Sequence, residues 1–223
     1  MALEKIVTEK DRAWALWRIA EDEATLAGRV SNVESMPDNL THPAKRIEWL
    51  AGRVLINELF AALSLTFRGL SKDDFGKPFP TGYDYHVSLS HSFPFVAALV
   101  DKQGPAGIDL EQPKVKLFRV AHRIFHRDEL RDAGNDLIKH TVYWCAKETL
   151  IKIYGKKDLT LAEHLLIDAF QLAEAGDISG RIIAGGTETV IPLHYEVFPG
   201  FVLVLNRALN LLNQSSCLSS CSC

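Results

Sequence analysis

Residues 135–154 constrain the fold more than any other stretch, because their apolar side chains repeat at the spacing of an α-helix. Gly155 follows directly and is the kind of residue that ends a helix. Within this helix Glu148 and Lys152 stand four residues apart, so their side chains lie on one face. The apolar sector comprises Leu137, Val142, Ala146, Leu150 and Ile153. Taken alone, the Glu148–Lys152 pair predicts an ordinary helical ion pair.

The bulk composition excludes several classes of protein. The 223 residues suffice for one large domain or two small ones, and 47% apolar with 24% charged residues is typical of a soluble globular protein. A net charge of −3 does not favour a nucleic-acid binder. No apolar run is long enough to span a bilayer, and the N-terminus lacks the apolar core of a secretory signal. We therefore expect no nucleic-acid partner and no membrane segment.

The four cysteines do not form the pattern of a disulfide framework. Cys145 lies inside the predicted helix, and Cys217, Cys221 and Cys223 lie in a Ser-rich tail. The tail spacing could suggest a metal site, but no histidine accompanies it, and the composition predicts disorder for residues 211–223. A reducing cytoplasm is the expected location.

A second long helix is predicted in the first half of the chain. Thr41 or His42 precedes Pro43, which suits the first turn of a helix, and apolar residues then recur at helical spacing. Lys45 and Arg46 stand near its start, where backbone N–H groups also favour anions. These two cations could hold a phosphate or form a solvated basic face.

Two shorter segments carry further polar side chains. Lys77 stands between a glycine and Pro78 in a loop, so its backbone has restricted freedom and its cation suits a ligand. Residues 86–90 alternate as a strand that runs into a Ser-His-Ser cluster, and residues 95–100 form a second strand. The two strands predict a hairpin. His91 could also be a surface histidine of the turn.

Asp109 and Glu111 form an acidic pair on a predicted strand. Residues two apart in a strand point to one face, whereas Ile108 and Leu110 would face the core. Two neighbouring carboxylates repel each other unless a cation lies between them, and hard oxygen ligands suit Mg²⁺. Together with Glu148, the pair could hold one divalent cation. An exposed acidic strand edge is the alternative.

The whole pattern predicts an α+β protein. Residues 117–126 and 127–130 are typical of short helices. Four short strands with Gly-rich turns follow the long helix, at residues 165–170, 179–184, 189–197 and 200–206. Because each half has a long helix followed by strands, we predict two similar lobes in pseudo-two-fold arrangement, each a long helix packed on a small, mostly antiparallel sheet. The predicted lobes are residues 1–103 and 104–210.

Four short motifs occur in one order along the chain. They are Phe-Gly-Lys-Pro at residues 75–78, Val-Ser-Leu-Ser-His-Ser at 87–92, Gly-Ile-Asp-Leu-Glu at 107–111 and Trp-Cys-Ala-Lys-Glu-Thr-Leu-Ile-Lys at 144–152. In this order and with these separations they resemble the 4′-phosphopantetheinyl transferase superfamily, Sfp type with two fused lobes. The resemblance implies Mg²⁺-dependent transfer of the 4′-phosphopantetheine arm of coenzyme A to a serine of an acyl or peptidyl carrier protein, as in a holo-[acyl-carrier-protein] synthase. The other product would be adenosine 3′,5′-bisphosphate.

The resemblance also implies roles for individual residues. The residues also fit this chemistry: a metal on Asp109, Glu111 and Glu148 would draw in the pyrophosphate, and Glu148 could take the serine proton directly or through a water. Lys152 could neutralise the phosphate or protonate the leaving group. Lys147 points about 100° away from Glu148 around the helix and could contact phosphate or be structural. The residues implied for binding coenzyme A are Arg46, Lys77, Pro78, Ser90, His91, Asp109, Lys147 and Lys152.

The implied partner is an acidic carrier protein that docks by a helix in a hydrophobic and basic groove. Because the chain is mildly acidic overall, the attraction must come from a local basic patch. The candidate patch, which could equally be a solvated face, consists of Arg119, His122, Arg123, His126 and Arg127. Arg29 is the nearest early candidate for the 3′-phosphate pocket. Two fused lobes would make a monomer sufficient.

Two other functions stay open. One is a catalytically inactive two-lobe protein that binds a nucleotide or a partner, and the three acidic residues argue against it. The other is a different Mg²⁺-dependent phosphate enzyme, such as a phosphatase. The chain has no G-x-x-x-x-G-K-[ST] loop to support a P-loop NTPase.

Overall fold

The structure is a computed structural model that describes residues 2–30, 35–156 and 158–208. It has the predicted α+β class, with antiparallel sheets and helices. The strands are β1 (Ala2–Glu9), β2 (Arg12–Arg18), β3 (Leu70–Lys72), β4 (Pro78–Pro80), β5 (His86–Ser92), β6 (Phe95–Asp101), β7 (Ile108–Glu111), β8 (Leu165–Ile167), β9 (Ala175–Ala184), β10 (Thr187–Phe198) and β11 (Phe201–Asn206). The helices are α1 (Glu23–Ala27), α2 (Pro43–Ala62), α3 (Lys116–Ile124), α4 (Arg127–Ala133), α5 (Leu137–Tyr154) and α6 (Leu161–His164). The predicted disordered tail and its three cysteines lie outside the described residues.

The N-terminal sheet carries the long helix α2. Its four antiparallel strands follow the order β1-β2-β6-β5. Helix α2 begins at Pro43 after the N-cap residue His42, as the sequence predicted. Its buried face, which includes Leu55 and Phe60, packs in one apolar cluster with Trp17 of β2. This packing brings the first turns of α2 beside the end of β5.

The C-terminal sheet carries helix α5. Its five strands follow the order β7-β11-β10-β9-β8. The apolar sector of α5, including Val142 and Leu150, packs with Leu193 of β10 in the C-terminal core. The helix starts after Asp136, whose side chain accepts a backbone N–H, and it ends at Gly155 with φ of 81°. The predicted helix and its glycine C-cap are therefore confirmed.

Two serine hydroxyls join the sheets. Strands β5 and β7 lie side by side, although they belong to different sheets. The Ser88 hydroxyl accepts the Ile108 N–H at 3.0 Å, and the Ser90 hydroxyl accepts the Leu110 N–H at 3.2 Å. Alternate side chains of β5 thus satisfy backbone donors along the edge of β7. The arrangement fixes β7 against the N-terminal sheet.

The back of this junction is polar and buried. Arg12 donates to the Asp101 carboxylate and to the carbonyl of Asn206, and the Asn206 side chain accepts the Gly107 N–H at 2.8 Å. The chain leaves the first sheet at Asp101 and enters the second at Ile108. The change of sheet thus falls between residues 101 and 108. The division into lobes and their pseudo-two-fold relation stay predictions.

The elements that the sequence pattern did not predict are short or charged. Strand β1 contains Glu4, Lys5 and Glu9 and lies at the edge of its sheet, where charged side chains are common. Strands β3 and β4 have three residues each, and α6 has four, too few to establish a period. In the described part of the chain, no helix combines the length and apolarity needed to cross a bilayer.

Candidate active site

A cavity of about 240 Å³ lies between the loop before β4, strand β5 and the end of α5. The Lys77 ammonium donates to the Ile153 carbonyl at 2.9 Å, at the helix end that favours a cation. Burial lowers the pKa of Lys77. Gly155 gives the lysine room, since a Cβ there would lie 3.0 Å from Lys77 Cδ. The polar and apolar lining includes Phe75, Lys77, Pro78, Leu89, Lys152 and Lys156.

Asp109 lies beside this cavity and is only 5% exposed. Its Oδ1 atom accepts hydrogen bonds from the Ser90 hydroxyl and the Lys152 ammonium, both at 2.8 Å. Its Oδ2 atom is buried and accepts no hydrogen bond from any described residue. A buried carboxylate oxygen without a donor is costly, so Oδ2 fits an additional cation or donor. Lys152 also donates to the Ile108 carbonyl at 2.7 Å.

Glu148 and Glu111 share the surroundings of Asp109. Burial raises the pKa of Glu148 to about 7, and the charges of Asp109 and Glu111 add to this effect while Lys152 opposes it. Burial and the Asp109 charge also raise the pKa of Glu111. The Trp144 indole donates to Glu111 Oε1 at 3.2 Å and restrains it. The three predicted carboxylates are therefore near enough to repel one another.

The chemistry of this acidic set fits a hard divalent cation. Three carboxylates, one of them with an orphaned buried oxygen, are the donor type that Mg²⁺ uses. However, no three His, Cys, Asp or Glu side chains in the described ranges converge closely enough to form a metal site. The Lys152 ammonium instead neutralises part of the charge at Asp109. The assignment of Asp109, Glu111 and Glu148 as metal ligands stays a prediction.

Lys147 does not line this cavity. Its side chain is 0% exposed, and its ammonium pairs with Glu129 at 2.8 Å. The same ammonium donates to the Leu161 carbonyl at 2.9 Å and to the Leu165 carbonyl. Burial lowers the pKa of Lys147, and Glu129 opposes this effect. All three N–H donors have protein acceptors, so the structure supports the structural role rather than the predicted contact with coenzyme A.

Arg46, which matches the family residue that holds the 3′-phosphate of coenzyme A, and Arg29, the early candidate for the same pocket, are both engaged with acidic side chains. Arg46 pairs with Glu23 of α1 at 2.5 Å and does not line the cavity that holds Lys77. Arg29 pairs with Glu58 at 3.1 Å. A phosphate would reach Arg46 only by competing with the Glu23 carboxylate. The role of Arg46 therefore stays a prediction.

His91 lies at the end of β5 and faces the first turns of α2. Its Nδ1 atom is 3.2 Å from Glu48 Oε2, and the Lys45 ammonium is 2.6 Å from the same oxygen. Burial lowers the pKa of His91; Glu48 opposes this, and Lys45 and Lys152 lower it further. The structure thus brings His91 to the same region as Lys152. Sequence reasoning did not single out Glu48.

A larger groove of about 410 Å³ adjoins Glu111 and Trp144. Its apolar lining includes Leu117, Val120 and Ile124, and its cations are Lys114, Lys116 and Arg119. Two exposed apolar side chains, Val115 and Phe118, stand on the same segment. Of the basic patch predicted from the sequence, only Arg119 lines the groove. Sequence reasoning missed the other two lysines, which flank Val115 directly after Pro113.

Known proteins provide an independent comparison. Residues 105–203 match the family model of the 4′-phosphopantetheinyl transferase superfamily. The 4′-phosphopantetheinyl transferase Sfp of Bacillus subtilis (strain 168) is 32% identical over 146 residues, which cover 62% of this chain and 62% of that protein. The 4′-phosphopantetheinyl transferase ffp of Bacillus subtilis is 30% identical over 166 residues, covering 70% of each chain. The 4′-phosphopantetheinyl transferase AcpT of Salmonella typhi is 30% identical over 166 residues, which cover 65% of this chain and 84% of that protein.

Proposed function

Since this chain belongs to the 4′-phosphopantetheinyl transferase superfamily, we propose that it transfers the 4′-phosphopantetheine arm of coenzyme A to a serine of an acyl or peptidyl carrier protein. One observation carries the proposal. A buried aspartate with an orphaned oxygen, Asp109, lies among Glu111, Glu148 and Lys152 beside a cavity that also holds Lys77. The names of the relatives support the same reaction.

The proposed reaction exchanges one phosphorus–oxygen bond for another. The serine oxygen of the carrier attacks the phosphorus that bears pantetheine, and the bond from that phosphorus to the adenosine bisphosphate oxygen breaks. Adenosine 3′,5′-bisphosphate leaves, and the serine proton must be taken up by a base. Such transfers depend mainly on positioning and on neutralising charge.

Glu148 suits the role of that base. In the metal-free protein, burial raises the pKa of Glu148 to about 7, so this carboxylate holds a proton more readily than an exposed glutamate. It would accept the serine proton directly or through a water molecule. General bases of this kind contribute roughly 10²–10⁴-fold to a rate.

Lys152 suits the charge-neutralising role. Its side chain is 25% exposed and its ammonium already contacts Asp109 Oδ1 beside the cavity. Lys77, which lines the same cavity, would also hold the ligand, with Ser90 restraining Asp109. A magnesium ion held by Asp109, Glu111 and Glu148 would supply further positive charge for the diphosphate.

The groove beside Glu111 suits the carrier protein. Lys114, Lys116 and Arg119 would attract an acidic helix, and the apolar lining next to Trp144 would receive its side chains. A carrier docked there would present its serine next to Glu111. Charge attraction of this type predicts that the KM for the carrier rises with salt concentration.

A panel of apo carrier proteins tests the proposed function. Each acyl or peptidyl carrier is incubated with the protein, coenzyme A and Mg²⁺, and its mass is measured. We expect at least one carrier to gain the mass of one phosphopantetheine group. Asp109→Ala should lower the rate at least about 100-fold, whereas Asp168→Ala, at a surface ion pair with Arg181, should not.

If no carrier in the panel gains mass, two further measurements distinguish the alternative functions. Binding of coenzyme A without any mass gain would favour the inactive binding protein. Release of inorganic phosphate from coenzyme A would favour a phosphatase. If the wild type transfers phosphopantetheine and Asp109→Ala is equally active, the transferase function stands but the assigned site is refuted.

A further inference from the structure

A buried carboxylate, Glu48, stands behind His91. Its side chain is 5% exposed, although it belongs to the first turns of α2. The Oε2 atom of Glu48 receives Lys45 Nζ at 2.6 Å and lies 3.2 Å from His91 Nδ1. An acidic group at this depth needs a reason, because it would repel a phosphate that approached His91.

The contact follows from how α2 packs on β5. Gly52 faces Leu89 so closely that a Cβ at position 52 would lie 2.8 Å from Leu89 Cδ2. Glu48 lies one helical turn before Gly52, and His91 lies two strand residues after Leu89, so both reach the same interface. The close approach at Gly52 therefore brings Glu48 within reach of the imidazole.

We propose that Glu48 is a positioning residue that holds His91 through Nδ1 and thereby directs Nε2 toward the phosphates of coenzyme A. The inference rests on the proposed function. In the structure Glu48 Oε2 lies at an ion-pair distance of 3.2 Å from His91 Nδ1. In the proposed role the carboxylate accepts the Nδ1–H, which fixes the tautomer and the plane of the ring, and it stabilises the imidazolium that forms when Nε2 gains a proton. A phosphate oxygen then accepts the Nε2–H bond as a charge-assisted hydrogen bond.

The charges around His91 explain why the ring would gain its proton only with the ligand. Glu48 on α2 favours a positive charge on His91, whereas Lys45 on α2 and Lys152 on α5 oppose it. Burial acts in the same direction and is the largest cause of the lowered pKa of His91. Arrival of a phosphate would reverse this balance, so that binding takes up a proton. Glu48 then supports the new charge instead of repelling the ligand.

The test compares Glu48→Gln with the wild type. The substitution keeps the shape of the side chain and removes the charge that stabilises the imidazolium. We expect the KM for coenzyme A to rise roughly tenfold, as for a lost hydrogen bond to a charged group, with a smaller change in kcat. Glu163→Gln, at an exposed residue of α6, is the matched control.

Two further readouts separate positioning from a purely structural role. ¹⁵N NMR of the free protein should show His91 protonated at Nδ1 in the wild type and a mixture of tautomers in Glu48→Gln. In a His91→Asn background, Glu48→Gln should no longer raise the KM. Equal KM increases with and without His91, or an Nε2-protonated ring in the wild type, would overturn the inference.

Failure of the proposed function gives a different result. If the wild type transfers nothing to any carrier, the proposed function fails, and a coenzyme A titration followed at the His91 nitrogens decides the inference. Protonation of Nε2 on binding in the wild type, absent from Glu48→Gln, would support the positioning role. An unchanged ring at saturating coenzyme A would refute it.

Discussion

The two faces of helix α5 use the same kinds of side chain in opposite ways. On the core face, Lys147 is fully buried, and its ammonium is matched by Glu129 and two carbonyl groups. On the cavity face, Lys152 is partly exposed and its ammonium pairs with Asp109 Oδ1. The Oδ2 atom of Asp109 has no donor among the described residues. The two lysines are five residues apart, which places them about 140° apart around the helix.

The difference between these faces separates stability from function. The Lys147 ammonium and both carboxylate oxygens of Glu129 have partners, so the core face stabilises the position of the helix. The cavity face instead crowds Asp109, Glu111 and Glu148. Burial, together with the charges of Asp109 and Glu111, raises the pKa of Glu148 to about 7. Proteins accept such unfavourable arrangements mainly where a ligand relieves them. Charge removal should therefore have opposite effects on the two faces.

The largest effect is expected on the core face. Lys147→Met leaves the Glu129 carboxylate buried without its cation, which should lower the free energy of unfolding by about 3–5 kcal/mol. Chemical denaturation measures the loss. Lys102→Met, at an exposed lysine, is the control and should change it by less than about 0.5 kcal/mol. A Lys147→Met protein as stable as the control would mean that the buried pair does not anchor the helix.

An effect of opposite sign is expected on the cavity face. A carboxyl group whose pKa is raised in the folded state opposes folding once it ionises, so stability falls as the pH rises through about 4.5 to 7. In the presence of a chelator, Glu148→Gln should therefore raise the free energy of unfolding by about 1–3 kcal/mol at pH 8 and by less than about 1 kcal/mol at pH 5. Denaturation at the two pH values measures the difference.

The Glu163→Gln variant again serves as the control for Glu148→Gln, because its carboxylate is exposed. It should show the same small change at both pH values. If Glu148→Gln gave no gain at pH 8, the raised pKa of Glu148 in the folded protein would be disproved. Added Mg²⁺ should stabilise the wild type more than the variant if the proposed ligands are right.

The smallest effect is expected from replacing Ser88 or Ser90, whose hydroxyls each accept one N–H group of β7. Ser88→Ala and Ser90→Ala each leave one β7 N–H without its acceptor, so each should cost about 1–2 kcal/mol of stability. Only Ser90 also donates to Asp109. Calorimetric titration should therefore show roughly tenfold weaker Mg²⁺ binding for Ser90→Ala alone. Equal affinities in the two variants would remove the metal-site role of Ser90.

Much of the fold could be predicted because its long elements carry strong local signals. Pro43 and Gly155 mark the start of α2 and the end of α5, and the apolar spacing between such marks identifies the buried faces. The charged edge strand β1 gave no such signal. The pairing of β7 with β11, and its contact with β5, depend on residues far apart in the chain, which a local pattern does not encode.

The site could be predicted only in part for the same reason. Spacing correctly placed Glu148 and Lys152 on one face of α5, and both belong to the same charged region as Asp109. The surroundings of Lys147 could not be predicted, because Glu129 is 18 residues away and reaches it only after α4 folds back. Glu48 was missed since its meaning depends on the close approach of α2 to β5 at Gly52.

The hydrogen bonds from β7 to the serine hydroxyls of β5 affect how the chain would behave if it were expressed as two fragments. Strand β7 is an edge strand of the C-terminal sheet. Its Ile108 and Leu110 N–H groups donate to the hydroxyls of Ser88 and Ser90, which belong to the N-terminal sheet. A C-terminal fragment expressed alone would expose these N–H groups on an unpaired sheet edge, to which other chains can bind. We expect such a fragment to self-associate through this edge. Addition of the N-terminal fragment should make it soluble again.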